Sequence, residues 1–239
     1  MKKAIKKLVK KIPIAFTKNQ QYDKQTNKII RKLCKADTNC IDIGAHKGEV
    51  LDIMLKYAPD GVHYAFEPIP ALYDDLREKY SGRPNCHISD IALSNEKGSS
   101  TFNYVVSNPS YSGLIKRKYD RPNEEDTTIT VKTDKLDDVL PPGYQPHFMK
   151  IDVEGGEMLV LRGAKNTIKK YKPVIIFEHG LGASDMYGST PDKLFHLLGE
   201  CGLKISVMKK WLAGKPALTE AEFVKLYNTN SEYYFIAHP

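Results

Sequence analysis

The residues best placed to do chemistry follow directly on short apolar runs. The first group is Asp42-Ile43-Gly44-Ala45-His46-Lys47-Gly48, a glycine-rich turn at the end of the run at residues 39–43. Gly44 suits a tight turn, and Gly48 a close approach of backbone to ligand where a helix begins. The spacing is not GxGxxG, which counts against a dinucleotide whose pyrophosphate needs that turn. Glu67, in Phe66-Glu67-Pro68, lies 19 residues beyond Gly48. A carboxylate there can accept hydrogen bonds from both hydroxyls of a ribose. Asp90-Ile91-Ala92 follows the run at residues 85–89 and offers an acceptor for an adenine amino group beside an apolar contact for the ring. Together the three groups describe a pocket for adenosine without phosphates, the shape that S-adenosylmethionine requires.

A second set sits further along, in Lys150-Ile151-Asp152-Val153-Glu154-Gly155-Gly156-Glu157 and in Phe177-Glu178-His179-Gly180. Period two places Asp152 and Glu154 on one side of a strand end. Glu157 reads as a first-turn helix acid favoured by the helix dipole. A sulfonium methyl is already activated, so the protein has to set an acceptor oxygen in line and remove its proton. His179 is the first candidate base, because an ordinary histidine pKa of about 6.5 suits neutral pH. Asp152 is the second. Asp152 and Glu178 end neighbouring strands, and their hard oxygens could hold Mg²⁺ against a sugar diol.

Positioning these groups takes a particular architecture. Strand-like runs at residues 39–43, 62–66, 85–89, 147–153, 174–178, 204–208 and 233–237 alternate with helical periodicity at 22–35, 48–57, 71–80, 157–170, 191–201 and 219–227. That alternation predicts an α/β fold, a seven-stranded mostly parallel sheet with helices on both faces. Ligands in such sheets sit at the carboxyl ends of the strands where strand order reverses. The rhythm breaks once, where β segments at 101–106 and 127–133 predict an inserted β-hairpin around a polar loop, residues 107–126. A loop of that length is commonly a lid or a binding loop. Tyr111 and Tyr119 in it, with Tyr187 from the loop at 180–190, could stack on a sugar ring, while Lys116, Arg117, Lys118 and Arg121 could meet an acidic group.

The charge is unevenly divided. Residues 1–35 hold twelve of the 36 Lys and Arg and one of the 29 acids, a net of +11 in a chain of +7, which leaves −4 for residues 36–239. The chain thus divides into a basic extension with a leading helix (1–35) and a domain (36–239) that is mildly acidic. Nucleic acid is therefore not an expected partner, since such enzymes carry their basic patch on the domain itself. In residues 1–16, Ala4, Ile5, Leu8, Val9 and Ile12 recur at helical spacing opposite six lysines, a pattern that could rest on an anionic membrane. No apolar run approaches the roughly 20 residues of a spanning helix, and lysines interrupt any signal-like stretch. The four cysteines show no metal-binding spacing, as free thiols of a reducing cytoplasm would. The expected location is the cytoplasm, with peripheral contact at the inner face of the membrane.

The segments IDIGAHKGEV, YAFEPIP, SDIALSNEKGSSTF and HFMKIDVEGGEMLVLRGA, in this order and spacing, resemble the FkbM family of methyltransferases over about residues 22–180. The resemblance implies a Rossmann-like methyltransferase fold, S-adenosylmethionine as cofactor, and O-methylation of a hydroxyl on a sugar, glycan, polyketide or similar small molecule. It assigns Asp42, Gly44 and Gly48 to the cofactor loop, with Ala45 and His46 between them, Glu67 to the ribose, and Asp152 to the transferred methyl. His46-Lys47 stands where the family often has Asn and an apolar residue. An RNA methyltransferase and a non-catalytic cofactor-binding adaptor are the rival readings.

Overall fold

The computed structural model describes residues 17–117, 119 and 123–239. The leader at residues 1–16, with its expected membrane contact, lies outside them, as do Lys118 and Arg121. A capping box starts the first described helix: Thr17 Oγ1 accepts the Gln20 N–H, and Gln20 Oε1 accepts the Thr17 N–H. Helix α1 then runs Lys18–Leu33 and buries Tyr22, Thr26, Ile29 and Ile30 along one stripe.

After α1 come β1 (Cys40–Ile43), α2 (Glu49–Tyr57), β2 (His63–Phe66), α3 (Pro70–Lys79) and β3 (Cys86–Ser89). Three strands interrupt the alternation, β4 (Ile91–Leu93), β5 (Gly98–Val105) and β6 (Asp126–Asp134), followed by the short α4 (Leu136–Val139). The pattern resumes with β7 (Phe148–Ile151), α5 (Glu157–Gly163), α6 (Lys165–Tyr171), β8 (Val174–Glu178), α7 (Pro191–Glu200), β9 (Lys204–Val207), α8 (Met208–Leu212), α9 (Glu220–Asn228) and β10 (Tyr234–His238).

Seven strands form the main sheet in the order β3-β2-β1-β7-β8-β10-β9. Neighbours from β3 to β8 are parallel. β10 runs antiparallel to both β8 and β9, so it is the one reversed strand in a sheet otherwise as expected. Period two sorts the strand side chains between the faces. Ile41, Ile43, Met149, Ile151, Phe177 and Phe235 pack against α5, α6, α7 and α9. Cys40, Ala65, Phe148, Ile176 and Ile236 pack against α1, α2, α3 and α8. Each large side chain so buried contributes roughly 1.5–3 kcal/mol. Successive strands proceed outward from β1 in one direction and from β7 in the other, so the loops leaving these two strands diverge and open a cleft.

The expected hairpin is β5 paired with β6 along Gly98↔Thr133 to Val105↔Asp126. Its full unit is larger, because β4 joins parallel to β6 and completes a three-stranded sheet. A three-residue strand is too short to show a period. The single helix expected over residues 157–170 is instead two. Gly163 lies so close to the chain that its Cβ would come within 2.0 Å of the Ser94 carbonyl oxygen, and Ala164 leaves helical geometry at φ −110°, ψ 6°. Among the described residues no helix is long and apolar enough to cross a membrane.

Candidate functional site

A cavity of about 440 Å³ lies at the divergence of β1 and β7. The loop after β1 forms its floor. Gly44 and Ala45 both donate their N–H to the Phe66 carbonyl, at 3.0 and 3.1 Å, which tethers the loop to β2. Gly44 has φ +77°, and a Cβ there would fall 1.8 Å from the Asp152 carbonyl oxygen, so only glycine lets this loop pass the end of β7. His46 also has positive φ, 50°. Its N–H donates to Glu67 Oε2 at 2.8 Å, while the Ile69 N–H donates to Oε1 at 3.0 Å. Glu67 thus fixes both loops with one carboxylate, and each oxygen keeps a lone pair for a further donor. Burial pushes its carboxyl above the usual range, against the pull of the two N–H groups.

Beneath the floor lies a buried charge relay. Asp42 and Lys150 are register partners in adjacent parallel strands, so period two points them to the same face. Lys150 Nζ lies 3.7 Å from Asp42 Oδ1 and 3.3 Å from Asp152 Oδ2, and it donates to the Gly44 carbonyl at 2.9 Å. Burial raises the Asp42 carboxyl to about 6, with Lys150 opposing. Burial acts against the Lys150 ammonium too, but Asp152 and Asp42 outweigh it and keep its pKa above the ordinary lysine value.

Acids crowd the opposite wall. Asp152 faces the cavity and accepts a hydrogen bond from the Tyr234 hydroxyl at 2.5 Å. Although burial disfavours its charge, Lys150, Tyr234 and Glu178 together hold its carboxyl below the usual range. Glu154 also faces the cavity, with φ 58°, and pairs with Arg117 Nη2 at 2.9 Å. Carboxylate oxygens of Asp152, Glu154 and Glu178 lie within 4.8 Å of one another. Burial and then the neighbouring Asp152 charge push Glu154 and Glu178 well above the carboxylate range. Glu157, fully buried, accepts the Val153 and Gly155 N–H groups at 3.0 and 3.1 Å and so shapes the turn after β7. Burial lifts its carboxyl to about 7.

The remaining walls come from distant parts of the chain. Asn19, Tyr22, Asp23 and Thr26 of α1 face the cavity, as do Ile91, Ala92 and Leu93 of β4 and Ser110, Ser112 and Leu114 of the insert. The insert is latched in place: Arg117 reaches Glu154 while lying 4.6 Å over the Tyr111 ring, and the Ile115 N–H donates to the Tyr187 hydroxyl at 3.0 Å.

The profile of the methyltransferase FkbM domain matches residues 42–205, more than half of the chain. The chain belongs to the FkbM methyltransferase family. It is 29% identical over 149 residues to the hexuronic acid methyltransferase AglP of Haloferax volcanii, a match that covers 61% of this chain and 56% of AglP. The crystal structure of methyltransferase FkbM from Methylobacillus flagellatus KT superposes with a TM-score of 0.53 at 14% identity, over 86% of this chain and 44% of that one. That likeness shows the shared Rossmann-like methyltransferase fold. The chain spans about half the length of these relatives.

In this FkbM-family fold Gly44, Ala45, His46, Glu67, Ile91 and Asp152 meet around one cavity, while other residues singled out in the sequence do not line it. Asp42 is completely buried and braces the loop from below through Lys150. Gly48 starts α2 at φ +73°, and the group its backbone approaches is Tyr80: a Cβ would come within 2.4 Å of the Tyr80 hydroxyl, which donates to the Gly48 carbonyl at 3.0 Å. Asp90 turns outward and pairs with Lys132 at 2.9 Å. His179, the first candidate base, is completely buried away from the cavity, stacked on Tyr227 at 4.7 Å and Phe223 at 6.0 Å. Two residues beyond Phe177, it follows that side chain into the core under α9. Burial there depresses its pKa to about 4, so the ring stays neutral. Glu178 touches the cavity only through its acidic neighbours. Lys116 is paired with Asp126 at 2.5 Å, and Tyr119 donates to the same carboxylate at 2.5 Å, so these insert residues serve the loop's own structure. Lys150 and Tyr234 are the site residues that motif reading passes over. For Lys150 a signal existed, since a lysine inside the apolar strand Phe148–Ile151 has to be paired.

Proposed function

We propose that the protein transfers a methyl group from S-adenosylmethionine to a hydroxyl of a sugar or glycan. The observation that carries this reading is the acid-rich lining of the cavity: Asp23, Glu49, Glu67, Asp152 and Glu154 face it, while the cations beside them, Lys150 and the Arg117 that pairs with Glu154, are already engaged. Such a wall suits a cationic ligand and repels phosphate. A volume of about 440 Å³ lies within the range of small-molecule sites. The residues fit the cofactor in kind as well. Glu67 would hold the ribose through its free lone pairs, and Ile91 and Leu93 would give the base an apolar wall. Asp152, kept ionised by Lys150 and Tyr234, would face the positive sulfur. When bound, S-adenosylmethionine supplies a methyl group already activated on a sulfonium.

The chain's own work is then to orient the acceptor and take up its proton. Glu154 suits the second task, because its carboxyl faces the cavity and burial with the neighbouring Asp152 charge makes it a stronger proton acceptor than Asp152. Asp152, whose carboxyl is depressed, suits electrostatic support better. The relationship to a hexuronic acid methyltransferase supports a sugar-type acceptor, and the acid-rich wall argues against RNA. Asp152, Glu154 and Glu178 offer oxygens of the kind Mg²⁺ prefers. Arg117 and Lys150 already stand against Glu154 and Asp152, so the transfer proposed here needs no metal ion, and activity should be unchanged by EDTA. Calorimetric titration with S-adenosylmethionine tests the core of the reading. Micromolar binding that Glu67→Ala weakens at least tenfold is the expected result. No binding by the folded wild-type protein would overturn it.

A further inference from the structure

One face of the domain lies away from the cavity and carries mostly positive charge. At about 100° per residue, Lys28 and Arg31 fall on one side of α1, opposite the buried stripe of Tyr22, Thr26, Ile29 and Ile30, and Lys35 follows just beyond its end. All three are exposed, and among the described residues none is within ion-pair distance of a carboxylate. Helix α8 packs alongside, with Met208 Sδ 4.0 Å from Thr26 Oγ1 and Lys32 Nζ 4.8 Å over the Trp211 ring. It adds the exposed Lys209 and Lys210, with Lys215 just beyond it, and residues 204–215 contain no acid. In the sequence, residues 1–16 hold six more lysines, interleaved with Ala4, Ile5, Leu8, Val9 and Ile12.

We propose that the joined outer surface of α1 and α8 docks on an anionic phospholipid bilayer. The domain as a whole cannot favour polyanions, because residues 36–239 are net −4. The cations of this face can act together on a negatively charged surface within a Debye length of about 8–10 Å. Two helices lie side by side here, with half-buried Trp211 and Leu212 among the lysines. That form suits a planar interface, where tryptophan settles at headgroup level. Strands of nucleic acid are held instead in grooves with stacking aromatics. The inner face of α1 lines the cavity, so docking by the outer face would fix the cavity's orientation to the membrane and favour an acceptor presented there.

The test is co-sedimentation of the full chain with vesicles of phosphatidylcholine alone or with about one third phosphatidylserine. The expected result is binding only to the anionic vesicles, lost in high salt. The triple variant Lys28→Gln, Arg31→Gln, Lys35→Gln should bind them roughly 100-fold more weakly, at about fivefold per cation, with unchanged thermal unfolding and S-adenosylmethionine binding. Equal binding by the triple variant would overturn the proposal and assign attachment to residues 1–16 alone. So would absence of binding by wild type, or binding to RNA and not to vesicles that the same variant weakens.

Discussion

Replacing Lys150 by methionine isolates the buried charge relay. The change keeps the length and apolar stem of the side chain but removes the ammonium from between two carboxylates, at 3.7 Å from Asp42 and 3.3 Å from Asp152. At an effective dielectric of about 20 each contact is worth roughly 4 kcal/mol before desolvation. Taking one partner from a buried pair costs about 3–5 kcal/mol, because the other charge remains uncompensated. In a chain of 239 residues that corresponds to a fall in Tm of roughly 10 °C. The pH dependence separates this cause from a packing defect. The Asp42 carboxyl, already at about 6 in the folded protein, rises further without Lys150, while its unfolded value stays at about 3.9. A folded pKa above the unfolded one means the folded state binds the proton more tightly. The penalty is then absent below about pH 4 and full once pH exceeds the folded pKa. Urea unfolding at pH 5 and pH 7.5 should therefore show Lys150→Met closer to wild type at the lower pH. A loss under about 1 kcal/mol, or one equal at both pH values, would refute the relay. Adding Asp42→Asn to the variant should recover part of the loss at pH 7.5.

Two further outcomes follow from the geometry. Gly48→Ala forces positive φ on alanine and drives its Cβ toward the Tyr80 hydroxyl, so it should lower stability by about 1–3 kcal/mol; thermal unfolding measures this, and Tyr80→Phe should give back little, because the ring carbon Cε2 also lies 3.1 Å away. His179→Phe preserves the stacking on Tyr227 and removes an imidazole that is neutral above about pH 4. It should leave kcat and its pH profile nearly unchanged, whereas Glu154→Gln should lower kcat/KM by roughly 10²–10⁴-fold; the reverse order of effects in a methyl-transfer assay would restore His179 as the base.

The strands and the floor of the cavity were legible because they depend on local pattern. Short apolar runs mark all seven strands of the main sheet, and a glycine-rich turn with a carboxylate after the next strand marks where a ribose would lie. What stayed hidden depends on pairing between distant segments. Nothing in Tyr234–His238 says that it slots antiparallel between β8 and β9, yet that placement brings the Tyr234 hydroxyl to Asp152. Gly48 announces a close approach, but only the packing of α3 shows that Tyr80 is the approaching group. His179 is a different case. Its parity with Phe177 was open to view, and an apolar residue two positions earlier commits the histidine to the same buried side. Asp90 was ambiguous in kind, since an acid at a strand end meets a lysine on the next strand as readily as a ligand.

The position of β10 also bears on how the protein is made. Tyr22 and Tyr234 lie 5.1 Å apart in the folded wall, and Tyr22 bonds Glu232 across 210 residues of sequence. β9 has no neighbour in the sheet except β10, so a nascent chain that has released β9 cannot yet attach it. Until the ribosome has delivered residue 234, the edge of β8 is open and Asp152 lacks its tyrosine donor. The ligand cavity is thus completed only after β10 has been made, and until then the wall that Tyr234 closes is missing.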